Sequence, residues 1–248
     1  MKLTRRNVIA GAASAPLLAG SVPGAAAEES WQEKWDRELA RNFAMLDRYR
    51  ADNERLIASK APVDIVFLGD SITEGWRDKR PGFFTPGRIG RGISGQTTSQ
   101  MVLRMMADVV DLKPRAVHIM AGTNDIAGNT GPMTQEMSRD NFRMMSAVAR
   151  QNGIKVLFAS IPPAAGFPWR PGLETRRPIA EMNAWLRGFA RQTGATYVDY
   201  FAAMADASGG MKPGLAYDGV HPTEAGYDVM ARVAEPILAR VIRKRRRA

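Results

Sequence analysis

Short apolar runs alternate with helical patterns along most of the chain. From Val63 onward, five runs have the length and composition of buried strands: VDIVFLG, RIGRGI, RAVHIMAG, IKVLFASI and TYVDYF. The segments between them, such as MSRDNFRMMSAVARQNG, place apolar residues three and four positions apart, which is the spacing of one helix face. This alternation predicts βαβ units and a five-stranded parallel sheet with helices on both faces, an α/β fold. The last helix is expected from Thr223 to Arg243.

A further helical pattern precedes the first strand, in residues 28–60. Its apolar residues recur at helical spacing and predict one amphipathic helix whose aromatic stripe packs on the domain: Trp31, Trp35, Leu39, Phe43, Leu46 and Tyr49. A chain of 248 residues with 45% hydrophobic content is long enough for one sizeable α/β core, so we expect a single domain. The strand and helix patterns place this domain at residues 61–242. The chain has no cysteine, so its core must hold it without disulfides.

Residues 1–27 have the pattern of a signal peptide. Lys2, Arg5 and Arg6 form a basic region, followed by a weakly apolar stretch and the small residues GAAA before Glu28. The paired arginines resemble a twin-arginine signal, and an ordinary secretory signal is the alternative. Polar residues and a proline interrupt the apolar stretch, which falls short of the ~20 residues that span a membrane. We therefore expect a periplasmic or secreted protein without stable membrane insertion.

The net charge of +10 would suggest a nucleic-acid partner if the excess basic residues were spread over the domain, but they are concentrated at the two ends of the chain. Three of the excess positive charges lie in the predicted signal peptide and six lie between Arg240 and the C-terminus, where no acidic residue occurs. The remaining body is nearly neutral, so we expect no nucleic-acid binding. The basic tail, residues 243–248, is interpreted as a solvated helix end whose cations suit the helix C-terminus. Weak contact of this tail with an anionic surface is the alternative.

Polar residues follow three of the predicted strands directly. They form the sequences GDS, SGQTT and GTND, and the carboxyl ends of parallel strands meet at one edge of the sheet, where ligands bind. The chain has two histidines. His118 lies inside a predicted strand and is expected in the core. His221 follows Asp218 by three residues in a glycine-containing turn, where a carboxylate can orient the imidazole to accept a proton from a serine.

Four motifs in order resemble the conserved blocks of the SGNH or GDSL hydrolases: GDSITEGW, the glycine of GISGQTT, GTND and DGVHP. Among these enzymes, the chain is most similar to the platelet-activating-factor acetylhydrolases and bacterial carbohydrate acetylesterases. The resemblance spans residues 63–241 and implies a three-layer α/β/α, flavodoxin-like SGNH hydrolase fold. The α/β-hydrolase motif G-x-S-x-G is absent, since Thr73 replaces its second glycine.

By position, the resemblance implies that Ser71 is the nucleophile, His221 the general base and acid, and Asp218 the residue that orients His221. It implies an oxyanion hole formed by the backbone N–H groups of Ser71 and Gly95 and the side-chain amide of Asn124. These roles are chemically reasonable because a serine hydroxyl needs an adjacent base, and a tetrahedral intermediate needs fixed donors at its oxygen.

Each site residue also has a purely structural interpretation. SITE is a capping-box sequence in which Ser71 would be the N-cap of the following helix. Gly95 and Asn124 could serve only to shape turns. Asp70, Asp125, Asp218 and His221 could together form a metal site. The chain has only two histidines and no cysteine, and no spacing typical of metal ligands occurs, so we consider such a site unfavourable. We expect no metal and no cofactor.

The substrate is indicated less directly. Trp76 and Trp169 could stack on sugar rings and Arg170 could bind an anionic group, although all three could also pack the protein. No long apolar insertion suggests a tunnel for a fatty chain, so we expect a small ester substrate with a short acyl group, most simply acetyl. Export and the resemblance favour a glycan ester. A lysophospholipase or general short-chain acylhydrolase is the alternative, and a periplasmic module that binds a polysaccharide or transfers acyl groups is an alternative of another class.

Overall fold

The computed structural model describes residues 30–242. The signal peptide predicted at residues 1–27 and the basic tail predicted at residues 243–248 lie outside this part of the chain. Within it, no helix combines the length and the apolar character needed to cross a membrane.

Five parallel strands form one sheet with the order β2-β1-β3-β4-β5. The strands are β1 (Ile65–Gly69), β2 (Arg88–Gly92), β3 (Ala116–Met120), β4 (Lys155–Ala159) and β5 (Thr196–Val198). Each lies in one of the five apolar runs, so the predicted five-stranded parallel sheet is confirmed. Gly69 at the end of β1 pairs with Gly92 of β2 and with Met120 of β3. The carboxyl ends of these three strands are therefore level, and the loops that follow them share one edge.

Ten α-helices accompany this sheet between residues 30 and 242. They are α1 (Trp31–Arg41), α2 (Arg50–Ser59), α3 (Ser71–Lys79), α4 (Thr98–Leu103), α5 (Met105–Asp108), α6 (Thr123–Ala127), α7 (Gln135–Gln151), α8 (Arg176–Thr193), α9 (Tyr200–Met204) and α10 (Glu224–Val241). The chain moves from β1 to β2 in one direction and makes its later crossovers in the other. Right-handed connections then put α3 and α10, which contact each other, on one face and α4, α5, α7 and α8 on the opposite face. The structure therefore has the three-layer α/β/α architecture implied by the resemblance.

The core runs through the central strands, which are buried on both faces. His118 of β3 is fully buried, as expected, and its Nε2 lies 3.0 Å from the hydroxyl of Tyr200. Burial lowers the pKa of His118 to about 3, so this imidazole is neutral.

Trp76 belongs to the core and not to a binding surface. Its side chain has no exposed area, and its ring stacks on Phe83 at 4.4 Å and on Tyr227 at 6.0 Å between ring centroids. The prediction that Trp76 contacts substrate is therefore wrong. The reason is helical direction, because Trp76 projects from the face of α3 that packs on the sheet, like Ile72 one turn earlier.

Helix α3 packs very close to β1 and β2 because two glycines lack side chains there. A Cβ atom at Gly92 would lie 2.2 Å from the backbone nitrogen of Glu74, and one at Gly69 would lie 2.0 Å from Oγ1 of Thr73. Any side chain at these positions would push the first turn of α3 away from the strand ends. The glycines at the end of β1 and in β2 therefore allow the first turn of α3 to lie directly against the strand ends.

The segment before β1 forms two helices instead of the single one predicted. Asn42 ends α1, and its Oδ1 accepts a hydrogen bond from the backbone N–H of Leu46 at 3.3 Å. Met45 then adopts a left-handed backbone conformation with φ of 51°, which interrupts a right-handed α-helix. Trp35 and Tyr49 remain buried against Ile93, which lies just after β2. Phe43 and Leu46, from the same predicted stripe, are exposed.

Arg104 is a fully buried cation beneath the carboxyl edge of the sheet. Its guanidinium donates to Oδ2 of Asp108 at 2.9 Å, to Oε1 of Gln96 at 2.6 Å and to the carbonyl of Gly69 at 2.9 Å. A buried charge is tolerated only when it is paired and hydrogen-bonded in this way. Arg104 therefore links the end of β1 to the loop that follows β2.

We expect Arg104→Met to lower the free energy of unfolding by about 3 kcal/mol or more, because it leaves the Asp108 carboxylate without its buried counterion. Urea denaturation measures this change. Arg150→Met, the same substitution at an exposed residue near the end of α7, is the control and should stay within about 0.5 kcal/mol of the wild type. Equal midpoints for the two variants would contradict the anchoring role of Arg104.

Candidate active site

Ser71, His221 and Asp218 form a continuous chain of hydrogen bonds at the carboxyl edge of the sheet. The Oγ of Ser71 lies 2.9 Å from Nε2 of His221, and Nδ1 of His221 lies 2.7 Å from Oδ2 of Asp218. All three side chains are only partly buried, so a substrate can reach them. The structure thus brings Ser71 against His221, which lies 150 positions later in the sequence. Such a chain can remove the serine proton as the hydroxyl attacks a carbonyl carbon.

Ser71 is not the cap of α3. Asp70 occupies the N-cap position, and its carboxylate accepts a hydrogen bond from the backbone N–H of Ile72 at 3.0 Å. Glu74, the partner expected in a capping box, instead accepts hydrogen bonds from the backbone and hydroxyl of Ser94 and from Arg48. The alternative structural role of Ser71 is therefore absent, and its hydroxyl contacts His221.

The turn before α10 fixes the orientation of His221. One oxygen of Asp218 accepts hydrogen bonds from the backbone N–H groups of Val220 and His221, at 3.0 and 2.7 Å, and the other faces the imidazole. Partial burial raises the pKa of Asp218, but these hydrogen bonds outweigh it and hold the pKa below its ordinary value. An ionised Asp218 places the ring proton on Nδ1, which leaves Nε2 free to accept the proton of Ser71.

A surface pocket of about 300 Å³ opens over Ser71 and His221. Its other lining residues are Ser94, Gly95, Asn124, Asn129 and Trp169. Gly95 has φ of +79°, a conformation that other residues rarely adopt, and a Cβ there would lie 2.8 Å from the ring of Trp35. Within the described part of the chain, the backbone N–H groups of Ser71 and Gly95 donate to no protein acceptor. They are available to a substrate oxygen in the pocket.

The side-chain amide of Asn124 is held at the floor of the same pocket. Its Nδ2 donates to the carbonyl of Gln96 at 3.0 Å and lies 3.5 Å from Oδ2 of Asp70, at the limit of a hydrogen bond. The second N–H therefore has only a weak acceptor and can turn to a developing oxyanion. The three groups predicted as an oxyanion hole thus line one pocket with the hydroxyl of Ser71.

Asp70 and Asp125 have structural partners that explain their burial. Asp125 accepts hydrogen bonds from the backbone and hydroxyl of Thr98 and from the hydroxyl of Ser138, and so connects α6 to α4 and α7. Burial raises the pKa of Asp125 and raises that of Asp70 to about 6. Among residues 30–242, no three side chains of the types His, Cys, Asp and Glu are grouped so as to hold a metal ion.

Aromatic rings stand on two sides of His221. The ring of Trp169 lies 5.8 Å from the imidazole and that of Tyr217 lies 5.7 Å from it, the latter nearly parallel. Trp169 also lines the pocket, whereas Arg170 is exposed and donates to the carbonyl of Gly128 outside it. Binding of substrate by Trp169 and Arg170 stays a prediction.

Sequence reasoning did not identify Asn129, Tyr217, Ser94 or Trp35 as part of this site. Tyr217 directly precedes Asp218, and Asn129 follows Asn124 by five residues, so nearness to the motifs was an available signal for both. Trp35 gave no such signal, because its place over Gly95 depends on how the N-terminal helices dock.

The chain is similar to several known proteins. The sequence profile of the GDSL-like Lipase/Acylhydrolase family matches residues 67–229. A solved Bacteroides fragilis structure, described as an acylhydrolase, has a TM-score of 0.77 at 38% identity and covers 82% of this chain and 99% of its own. An acetylxylan esterase from Geobacillus stearothermophilus is 27% identical, over 68% of this chain and 90% of that protein. An uncharacterized lipoprotein of Bacillus subtilis, YqeF, is 38% identical to this chain over a short match, which covers 30% of this chain and 32% of YqeF.

The raised pKa of Asp70 makes a prediction about stability. Between its unfolded value of 3.8 and its folded value of about 6, the native chain binds more protons at Asp70 than the unfolded chain does, so stability falls as the pH rises. Asp70→Asn keeps a capping side chain and removes this titration. Relative to wild type, we expect the unfolding free energy of the variant to rise by up to roughly 3 kcal/mol between about pH 4 and pH 7.

Urea unfolding at several pH values measures this difference. Asp206→Asn is a control of opposite sign, because hydrogen bonds from the hydroxyl and backbone of Ser208 hold the pKa of Asp206 below its ordinary value. The Asp206 variant should therefore lose stability relative to wild type as the pH rises. A difference for Asp70→Asn that is constant or falls with pH would disprove the prediction.

Proposed function

The chain belongs to the GDSL-like lipase/acylhydrolase family and is a carboxylic ester hydrolase, and we propose that it removes short acyl groups, chiefly acetyl, from a carbohydrate. In this proposal Ser71 is the nucleophile, His221 the general base and acid, and Asp218 the residue that orients His221. The observation that carries it is the hydrogen-bonded chain from Asp218 through His221 to Ser71 beneath an open pocket.

The reaction proceeds in two steps. As Oγ of Ser71 bonds to the ester carbonyl carbon, its proton passes to Nε2 of His221, and the carbonyl oxygen becomes an oxyanion. The backbone N–H groups of Ser71 and Gly95 and the amide of Asn124 donate to that oxyanion. When the intermediate collapses, the ester C–O bond breaks and His221 gives its proton to the departing alcohol. Water then attacks the acyl-serine, again losing a proton to His221, and the acid is released with Ser71 restored.

The size of the pocket supports a short acyl group. Its volume of about 300 Å³ must hold both the acyl group and the adjoining part of the alcohol, which leaves little room for a long acyl chain. The ring of Trp169, which lines the pocket beside His221, offers an apolar surface for a sugar. The resemblance to an acetylxylan esterase at 27% identity supports the same substrate class.

Export is part of the proposal. The leader predicted at residues 1–27 supports a location outside the cytoplasm, and the similarity to a lipoprotein over 78 residues is compatible with it. A polymeric carbohydrate ester is a substrate that an exported enzyme would meet. The twin-arginine route rests on Arg5 and Arg6 alone.

Replacing the proposed nucleophile should abolish activity while leaving the fold intact. We expect Ser71→Ala to lower kcat by several orders of magnitude, on the order of 10⁶ in a well-behaved triad. Since Asp70 and not Ser71 caps α3, the unfolding free energy should stay within about 0.5 kcal/mol of wild type. Acetate release and urea denaturation measure the two effects. Full activity in Ser71→Ala would exclude the mechanism, whereas a large loss of stability would restore the capping role.

Acyl-chain preference separates the carbohydrate acetylesterase from a lysophospholipase. Nitrophenyl acetate should be cleaved with a higher kcat/KM than nitrophenyl octanoate, because the pocket accommodates a short acyl group best. Acetylated xylo-oligosaccharides should release acetate and lysophosphatidylcholine should not be cleaved. Preference for the octanoate would contradict the acetyl assignment. Transfer of acetyl from the nitrophenyl ester to an added oligosaccharide, in place of hydrolysis, would favour the acyl-transferring alternative.

Trp169→Ala tests the proposed sugar-binding wall. The stacking of a sugar on one aromatic ring contributes about 1 kcal/mol to binding. Its loss should therefore raise KM for an acetylated xylo-oligosaccharide several-fold and raise KM for nitrophenyl acetate less. Trp185→Ala, which removes a half-buried tryptophan of α8 that stacks on Phe189, is the matched control and should leave both values unchanged. Equal effects of Trp169→Ala on the two substrates would argue against a sugar contact.

A further inference from the structure

Asn129 makes more contacts with the oxyanion pocket than any assigned role explains. Its Nδ2 donates to Oδ1 of Asn124 at 2.9 Å and to the carbonyl of Gly95 at 3.3 Å. Its Oδ1 accepts the indole N–H of Trp169 at 3.2 Å. The carboxamide is therefore bonded at both ends, and only one orientation of its oxygen and nitrogen satisfies all three partners.

The backbone of Asn129 is held as firmly as its side chain. Its N–H donates to the carbonyl of Asn124 at 3.1 Å, and its carbonyl accepts the indole N–H of Trp35 at 3.4 Å. Two tryptophans from distant parts of the chain, one in α1 and one in the loop after β4, thus bind the same asparagine.

These contacts determine how the amide of Asn124 points. A carboxamide can flip, exchanging its oxygen and nitrogen with little change of shape, and only Nδ2 can donate to an oxyanion. Because Asn129 donates to Oδ1 of Asn124, the flipped amide would face it with a donor against a donor. The carbonyl of Gln96 imposes the same choice from the other side, since it accepts from Nδ2.

We propose that Asn129 is a positioning residue that holds the Asn124 amide in the orientation that donates to the oxyanion. This inference rests on the proposed function, since it assumes that Asn124 stabilises a tetrahedral intermediate. Asn129 also connects Trp169 in the pocket lining to the oxyanion donor Asn124, because the indole N–H of Trp169 fixes the orientation of the Asn129 side chain.

Asn129→Asp is the sharpest test because it preserves shape and the acceptor for Trp169 but removes both donors. A carboxylate at this position attracts Nδ2 of Asn124 and so favours the flipped amide. We expect kcat on nitrophenyl acetate to fall about 10²-fold, the usual cost of one oxyanion donor, with KM nearly unchanged. Asn152→Asp, the same substitution at the exposed C-cap of α7, is the matched control and should retain wild-type kinetics.

A double-mutant cycle distinguishes positioning from a general structural defect. If Asn129 acts through Asn124, then Asn124→Ala combined with Asn129→Asp should be no more than roughly threefold slower than Asn124→Ala alone. Independent structural damage would multiply the two losses. Asn129→Ala, which removes the donors without adding a charge, provides the second variant, and melting temperatures confirm that each protein is folded at the assay temperature.

Each outcome decides the matter. A large fall in kcat for Asn129→Asp that is not additive with Asn124→Ala supports the proposal. Wild-type kcat in both Asn129 variants, or losses that multiply with Asn124→Ala, would overturn it. If Ser71→Ala remains inactive in the same assay, the esterase mechanism survives that failure; if Ser71→Ala is active, the proposed function itself has failed.

Discussion

The buried guanidinium of Arg104 is the interaction on which the geometry of the site depends. It has no exposed area and bonds to the last carbonyl of β1, at Gly69, and to Gln96 in the loop after β2. Separating these loops would leave a buried charge without partners, at a cost of several kcal/mol. Ser71 and Gly95 each lie within two residues of one of those contacts, so the nucleophile and an oxyanion donor share one rigid support.

The turn that carries Asp218 and His221 is positioned by the packing of α10 on α3. The hydroxyl of Tyr227 in α10 donates a hydrogen bond to the carbonyl of Ile72 at 2.9 Å, and Arg80 at the end of α3 pairs with Asp228. Because these contacts join the helix after the His221 turn to the helix that begins at Ser71, they set the separation of imidazole and hydroxyl. Two further loops, carrying Asn129 and Trp169, close the remaining sides. The site thus combines two helix N-termini, which carry Ser71 and Asn124, with loops, and the packing of strands and helices fixes the distances between them.

The sequence was sufficient for the sheet, because strand runs alternate with helical patterns so regularly that the strand ends could be aligned. It placed Ser71, Asp218 and His221 in one site through the resemblance of the four motifs to the SGNH hydrolases, since the pattern of apolar residues does not say where His221 lies. Periodicity could not show that Trp76 faces the core, because an aromatic residue near a motif is compatible with packing and with binding. Neither could it show that Asn42 ends α1, since the apolar stripe continues past it. The fit of Asn129 between two tryptophans depends on long-range docking, which local patterns do not contain.

The central claim is that Ser71 is the nucleophile of an acyl-enzyme reaction. Its most direct test is to treat the full chain with a fluorophosphonate, which mimics the tetrahedral intermediate and bonds irreversibly to an activated serine, and to map the adduct by peptide mass spectrometry. We expect one adduct, on Ser71, and a loss of esterase activity that grows in proportion to labelling and is complete when every Ser71 is labelled. An adduct on another residue, or full activity after Ser71 has been labelled, would contradict it.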